Sequence, residues 1–160
     1  MSKPSTRQAP CAAHGTFVIE RELPHPPARV FAAWADPAAK AAWFVGPGGW
    51  KELRREIDFR IGGRERLTGA HPSGRVSDFD GVYHDIVPDR RIVYSYGMYV
   101  DDKRISVSLA TVELAPAGGG TRLTFTEQAA FLDGFDGAAG REQGTGMLLD
   151  QLGRMLRGGD

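Results

Sequence analysis

The sequence predicts an α+β fold of the helix-grip kind: a curved antiparallel β-sheet wrapped around a long C-terminal helix, with two short helices after the first strand. Three observations lead there. Residues 52–128 read almost entirely as strands joined by short polar turns, and parallel strands would need crossovers of about a dozen residues or more. Leu148, Leu149, Leu152, Met155 and Leu156 recur at three- and four-residue spacing over residues 140–157, an apolar stripe of helical period. A sheet with one apolar face needs a cover, and only this last helix is long enough to provide it.

The elements follow in order. From Thr16 the chain alternates, with Phe17, Ile19 and Arg21 on one face of a strand that ends at Leu23, where prolines 24, 26 and 27 stop it. A short helix starts near Pro27, a residue tolerated in a first helical turn, and carries Val30, Phe31 and Trp34. Asp36 then caps a second short helix with Pro37 at its first position, ending in Trp43-Phe44 before Gly46-Pro47-Gly48-Gly49. Strands are expected at 53–59, 64–70, 79–87, 91–100, 105–114 and 121–128, with turns at Ile61-Gly62-Gly63, His71-Pro72-Ser73-Gly74, Pro88-Asp89, Asp101-Asp102-Lys103 and the run 116–120. Gly144, Gly146 and Gly153 weaken the final helix by up to ~1 kcal/mol each relative to Ala, so packing must hold it, and small residues leave space beneath it.

Composition narrows the function. The 160 residues make one domain, with residues 1–15 expected as a mobile tail and 16–158 as the folded unit. Twenty basic and twenty acidic residues cancel, removing the broad attraction on which nucleic-acid or anionic-membrane binding relies. No apolar run approaches the ~20 residues of a membrane span, the N-terminus has no hydrophobic signal region, and Cys11 has no internal partner. A cytoplasmic protein is expected.

The order of elements and their wording resemble the START/Bet v 1-like (SRPBCC) superfamily. Within it the chain resembles the bacterial proteins grouped with the C-terminal domain of the activator of Hsp90 ATPase. The phrases that carry the resemblance are ERELPHPPARVFAAWADP, AAWFVGP, FRIGGRERL, GVYHDIVPDRRIVYSY, GGGTRLTFTEQ and REQGTGMLLDQL, which span residues 16–156 in the expected order. The resemblance implies the helix-grip fold and a cavity between its layers. The superfamily holds lipid carriers, cyclases and co-chaperone domains alike, so fold alone chooses no function. Two departures stand out. Thr145 replaces a tryptophan that many relatives carry in the last helix, implying a smaller or more polar pocket floor. The separate N-terminal domain of the eukaryotic co-chaperone has no counterpart here, which argues against a chaperone partner.

No motif for chemistry emerges. There is no Gly-x-Ser-x-Gly elbow around Ser73, no phosphate-loop lysine after Gly46, and His14, His25, His71 and His84 are too scattered for a metal site. No metal and no cofactor are expected. Polar candidates for the cavity remain. Leu123, Phe125 and Glu127 share a strand face, which puts Glu127 near the pocket rim, as a general base or as an edge carboxylate paired with an arginine. Val82, His84 and Ile86 share a face that would bring His84 inside; the opposite register brings Tyr83 inside with Gly81 and Asp85. Tyr94 and Tyr96 alternate with Val93 and Ser95, and both sets continue into further large side chains, so at least one tyrosine should reach the cavity.

The expected lining is Trp43, Phe44, His84, Tyr94, Tyr96, Phe125, Glu127, Phe131, Met147 and Gln151, with no residue assigned a catalytic role. Such walls suit a small hydrophobic or aromatic ligand. The rivals are a cyclase/dehydratase-type enzyme using a cavity carboxylate, histidine or tyrosine, and a protein-interaction module. A homodimer is left open.

Overall fold

The structure is a computed structural model that describes residues 9–135 and 137–158. Strand β1 (Ala12–Leu23) is followed by α1 (Pro27–Ala35) and α2 (Pro37–Trp43). Six more strands follow: β2 (Lys51–Ile57), β3 (Arg64–Ala70), β4 (Val76–Val87), β5 (Arg91–Val100), β6 (Lys103–Ala117) and β7 (Gly120–Leu132). Helix α3 (Ala138–Gly158) ends the described chain. All pairs are antiparallel, in the order β1-β7-β6-β5-β4-β3-β2. A meander therefore runs from β2 to β7, and β1 closes onto its far side. This is the helix-grip α+β fold that the sequence predicts.

The turns explain the register. Asp101 (φ 50°) and Asp102 (φ 65°) form the two-residue connection between β5 and β6. Left-handed backbone at both positions fits the twist of a tight hairpin, and Asp is among the few non-glycine residues that tolerate it. The Asp36 carboxylate accepts a hydrogen bond from Ala38 N at 3.3 Å, capping α2 with Pro37 at its first position.

The strand boundaries differ from expectation at several places. β1 begins at Ala12, so residues 12–15 belong to the sheet: Ala12 pairs with Leu132 and Gly15 with Ala129. Cys11 extends the tie, its carbonyl accepting from Asp133 N at 2.9 Å. Polar and small residues gave no apolar alternation there, and it is pairing with β7 that orders them. The rest of the expected tail, residues 1–8, lies outside the described residues. β2 starts two residues early, at Lys51, and β4 three early, at Val76.

The core fills the concave face. Phe17, Ile19 and Leu23 of β1, Leu114 of β6, and Leu123 and Phe125 of β7 are buried with Leu149, Leu152 and Leu156 of α3. Val30, Ala33 and Trp34 of α1 are buried with Trp43 of α2. The two tryptophans meet edge-to-face at 4.7 Å, and Trp43 Nε1 donates to Ala33 O at 2.9 Å. The helix pair thus forms an aromatic wedge at one end of the groove between sheet and α3. The groove is not filled along its whole length.

Candidate ligand-binding site

Between α3 and the concave face lies a cavity of ≈ 520 Å³. Its walls come from every layer: Trp34 and Trp43 from the helix pair, Phe44 to Pro47 and Trp50 from the following loop, Phe79, Tyr94, Tyr96, Phe125 and Phe131 from the sheet, and Gly140 to Gln151 from α3. Gly140 and Gly144 of α3 border the space from exposed positions. A Cβ added at Gly140 or Gly144 would touch nothing within 4 Å. Trp50 closes another side by lying flat on glycine: a Cβ at Gly69 would fall 1.8 Å from its Nε1, and one at Gly46 2.3 Å from its ring. The aromatic walls brace each other, with Phe79 stacked on Tyr96 at 4.6 Å and edge-on to Phe44 at 5.3 Å.

Polar groups are few: apart from Thr145, Gln151 and His71, whose Nε2 lies 3.1 Å from Ser77 Oγ, they gather around Glu127. Glu127 is fully buried rather than at the rim, because β7 carries it under α3 instead of past the helix. Its Oε2 accepts from the Tyr96 hydroxyl at 2.8 Å, the Ser108 hydroxyl at 2.9 Å and Arg141 Nη1 at 3.3 Å. Arg141 reaches in from α3, and its Nη2 donates to Ser106 Oγ at 2.7 Å. The arginine expected beside Glu127 is therefore present, but in the interior. Glu127 Oε1 is buried and finds no donor in the protein, and the buried Trp34 Nε1 finds no acceptor. Each such orphan costs about 1–3 kcal/mol. Burial pushes the Tyr96 phenol well above its usual range, and the Glu127 charge pushes it further. Tyr94 is raised as well, first by burial and then by its neighbour Tyr96.

Of the ten residues expected to line the cavity, nine do: Trp43, Phe44, Tyr94, Tyr96, Phe125, Glu127, Phe131, Met147 and Gln151. Met147 is 51% exposed and sits where the cavity opens. Gln151 is committed to structure, donating from Nε2 to Trp43 O at 2.7 Å and so tying α3 to the end of α2. His84 is the correction. It is exposed on the convex face, with its Nε2 2.7 Å from Ser95 Oγ, and Tyr83 points inward instead. His84 is out of phase with Phe79, Gly81 and Tyr83, and what separates it from Ile86 is a β-bulge between Tyr83 and Asp85. It shifts the phase of β4, so that Phe79, Gly81 and Tyr83 face in before it while Ile86 packs on the core after it. Unbroken alternation had grouped His84 with Ile86.

Sequence reasoning missed a second buried cluster behind the aromatic wall. Lys40 Nζ of α2 donates to Glu65 Oε1 at 2.6 Å and lies 3.2 Å from the Tyr83 hydroxyl, which itself donates to the same carboxylate oxygen. The ammonium is also within 4.7 Å of the Phe44 ring centre and 5.5 Å of that of Trp34. Burial lowers the Lys40 pKa, and the Glu65 charge only partly restores it. Burial, then Glu65, drives the Tyr83 phenol far upward. Arg141, Ser106 and Ser108 were missed too. The first lies on α3 outside its apolar stripe, and the serines alternate within a strand of no special composition. Among the described residues no group of three or more His, Cys, Asp or Glu side chains is placed to hold a metal ion.

A helix-grip sheet with a walled cavity under its last helix defines the class of fold. Residues 24–157 match the model of the family described as activator of Hsp90 ATPase homolog 1-like protein, and the chain belongs to that family. Among solved structures, a protein of Rhizobium leguminosarum is 46% identical with a TM-score of 0.90, the match covering 94% of this chain and 99% of that one. A Rhizobium loti protein is 47% identical over 91% of this chain and 99% of its own, with a TM-score of 0.84. A Chromobacterium violaceum protein is 31% identical over 88% and 95%, with a TM-score of 0.73. No curated protein matches the chain.

Proposed function

We propose that this is a cytoplasmic binding protein for a small, mainly apolar molecule, which it holds in the cavity beneath α3 without a cofactor. The observation that carries the reading is the cavity itself: ≈ 520 Å³ of space walled by aromatic side chains in the interior of the domain. That volume falls in the ~300–1,000 Å³ range of small-molecule sites. A domain built only to present a surface gains nothing from leaving such a space, since unfilled volume costs packing energy. Among the described residues no helix is long and apolar enough to cross a membrane, and the formal charge of zero gives no general attraction to nucleic acid.

The test uses the uncharged fluorescent probe N-phenyl-1-naphthylamine. It should bind in the micromolar range and quench the emission of Trp43, which lines the cavity. Thr145→Trp, at a buried position on the lining, should fill the interior, and Gly144→Leu should plug the mouth. Loss of binding in both variants, with circular dichroism unchanged, supports the reading. Undiminished binding in both removes the cavity as the site. Native mass spectrometry of the freshly purified protein would then identify a retained molecule.

One observation favours a second reading, an acid–base enzyme of cyclase or dehydratase type. Glu127, Tyr96 and Arg141 converge at the cavity wall, as such chemistry requires. A retained molecule recovered in two chemical forms that interconvert on incubation would favour the enzyme over the carrier.

A further inference from the structure

We infer that the ligand of this cavity is an uncharged, mainly apolar molecule bearing a hydroxyl or N–H group, which it donates to Glu127 Oε1. The inference rests on the ligand-binding reading and narrows it to a chemical class.

Three features of the wall select this class. First, the two oxygens of Glu127 are unequal. Oε2 is saturated by Tyr96, Ser108 and Arg141, whereas Oε1 is buried without a donor. Buried acceptors are almost always satisfied, and a bound group entering from the cavity supplies what the fold does not. Second, the charge there is already balanced. Arg141 is the counter-ion of Glu127, and both are shielded, with side-chain exposures of 14% and 1%. The other lining residues include no Lys, Arg, Asp or Glu. An anionic ligand would meet the free carboxylate oxygen while both Arg141 amino groups are already engaged with Tyr96, Ser108, Glu127 and Ser106. A cationic one would meet the Arg141 guanidinium. Neither charge gains. Third, the remaining wall is mostly aromatic, aliphatic and glycine, with His71 and Ser77 paired to each other and Gln151 bonded to Trp43 O, so the body of the ligand is apolar.

The same geometry predicts what a conservative substitution does. In Glu127→Gln the side chain keeps its shape, but its two ends are no longer equivalent. The Oε2 position faces three donors, so the amide carbonyl must take it. The amide NH₂ then occupies the Oε1 position and offers a donor where the wild type offers an acceptor. Specificity should therefore invert with polarity, by the rule that sites built for one hydrogen-bond type reject ligands lacking its complement.

The experiment measures the affinities of 2-naphthol, 2-methoxynaphthalene and 2-naphthoate by isothermal titration calorimetry at neutral pH. These share one ring system and differ in donor, acceptor and charge. The wild type should bind 2-naphthol about tenfold more tightly than 2-methoxynaphthalene, and 2-naphthoate most weakly. In Glu127→Gln the naphthol preference should vanish or reverse, and Thr145→Trp should weaken all three. Equal wild-type affinities for the naphthol and its methyl ether would overturn the inference and leave the cavity reading intact, as would a naphthol preference retained in Glu127→Gln. The wild-type comparison decides alone if Glu127→Gln does not fold. Binding of none of the three would remove the carrier reading and this inference with it.

Discussion

Replacing Lys40 by methionine should be among the most damaging single changes in the domain outside its apolar core. Lys40 and Glu65 form an ion pair at 2.6 Å with side-chain exposures of only 3% and 6%. Tyr83 donates to the same Glu65 oxygen, so the carboxylate depends on both partners. Methionine matches the lysine stem in volume but carries no ammonium, so the cation–π contacts with the Trp34 and Phe44 rings are lost along with the ion pair. The loss is therefore electrostatic. Removing one partner of a buried pair leaves the other desolvated and uncompensated, at ~3–5 kcal/mol. Adding Glu65→Gln removes the stranded charge and keeps an acceptor for Tyr83, so the double variant should be more stable than Lys40→Met alone. Urea denaturation followed by far-ultraviolet circular dichroism measures both. A single variant within ~0.5 kcal/mol of wild type, or a double variant no better than the single one, would show that the pair is not what holds this corner.

The same pair gives a pH signature with a definite sign. The Lys40 pKa is lowered in the fold from 10.5, chiefly by burial. Between the lowered value and 10.5 the unfolded chain binds the extra proton, so this residue makes stability rise with pH through that window. Lys40→Met should abolish that component, and its absence from the difference between the two stability curves would refute the argument.

Three further outcomes are expected. Tyr83, Tyr94 and Tyr96 all have phenols raised above 10.0 by burial, so the unfolded chain loses their protons first and stability should fall as pH climbs past that point; their absorbance near 295 nm should appear only together with unfolding. Trp34→Ala should cost ~3–5 kcal/mol, because the indole is 3% exposed and braces Trp43; an unchanged urea midpoint would contradict this. Deleting residues 1–14 should leave a folded protein but a weaker one, since Ala12, Ala13 and His14 pair with Leu132, Phe131 and Ala130, at about 1 kcal/mol per lost ladder hydrogen bond; a midpoint equal to that of the full chain would return those residues to the role of a tail.

The fold was legible because its signals are local. Prolines 24, 26 and 27 end β1, the Asp36-Pro37 pair starts α2, and the spacing of Leu149, Leu152 and Leu156 marks the face of α3 that the core buries. Each of these needs only a few neighbouring residues to be read. Most of the cavity wall was legible for a related reason. Once α3 is set over the sheet, alternate residues of β5 and β7 must face it, which brings Tyr94, Tyr96, Phe125, Glu127 and Phe131 to one surface.

What stayed hidden depends on depth or on a break in periodicity. Parity gave Glu127 its face, but the distance from the rim to the interior depends on where α3 crosses β7, which no local pattern encodes. Lys40 and Glu65 lie on different elements, and a lysine on a seven-residue helix reads as solvated until α2 is placed against β3. The bulge at His84 has no composition of its own, with no glycine in the sequence Tyr83-His84-Asp85 to announce it. Its effect is large all the same. One extra residue lets Ile86 return to the core, while Tyr83 keeps the inward phase of Phe79 and Gly81, where its hydroxyl joins Lys40 and Glu65. Had β4 run on without the bulge, Asp85 rather than Ile86 would follow Tyr83 onto the concave face. The bulge therefore decides which residue after Tyr83 returns to the core, while the buried ion pair behind the cavity takes the tyrosine that plain alternation gives it.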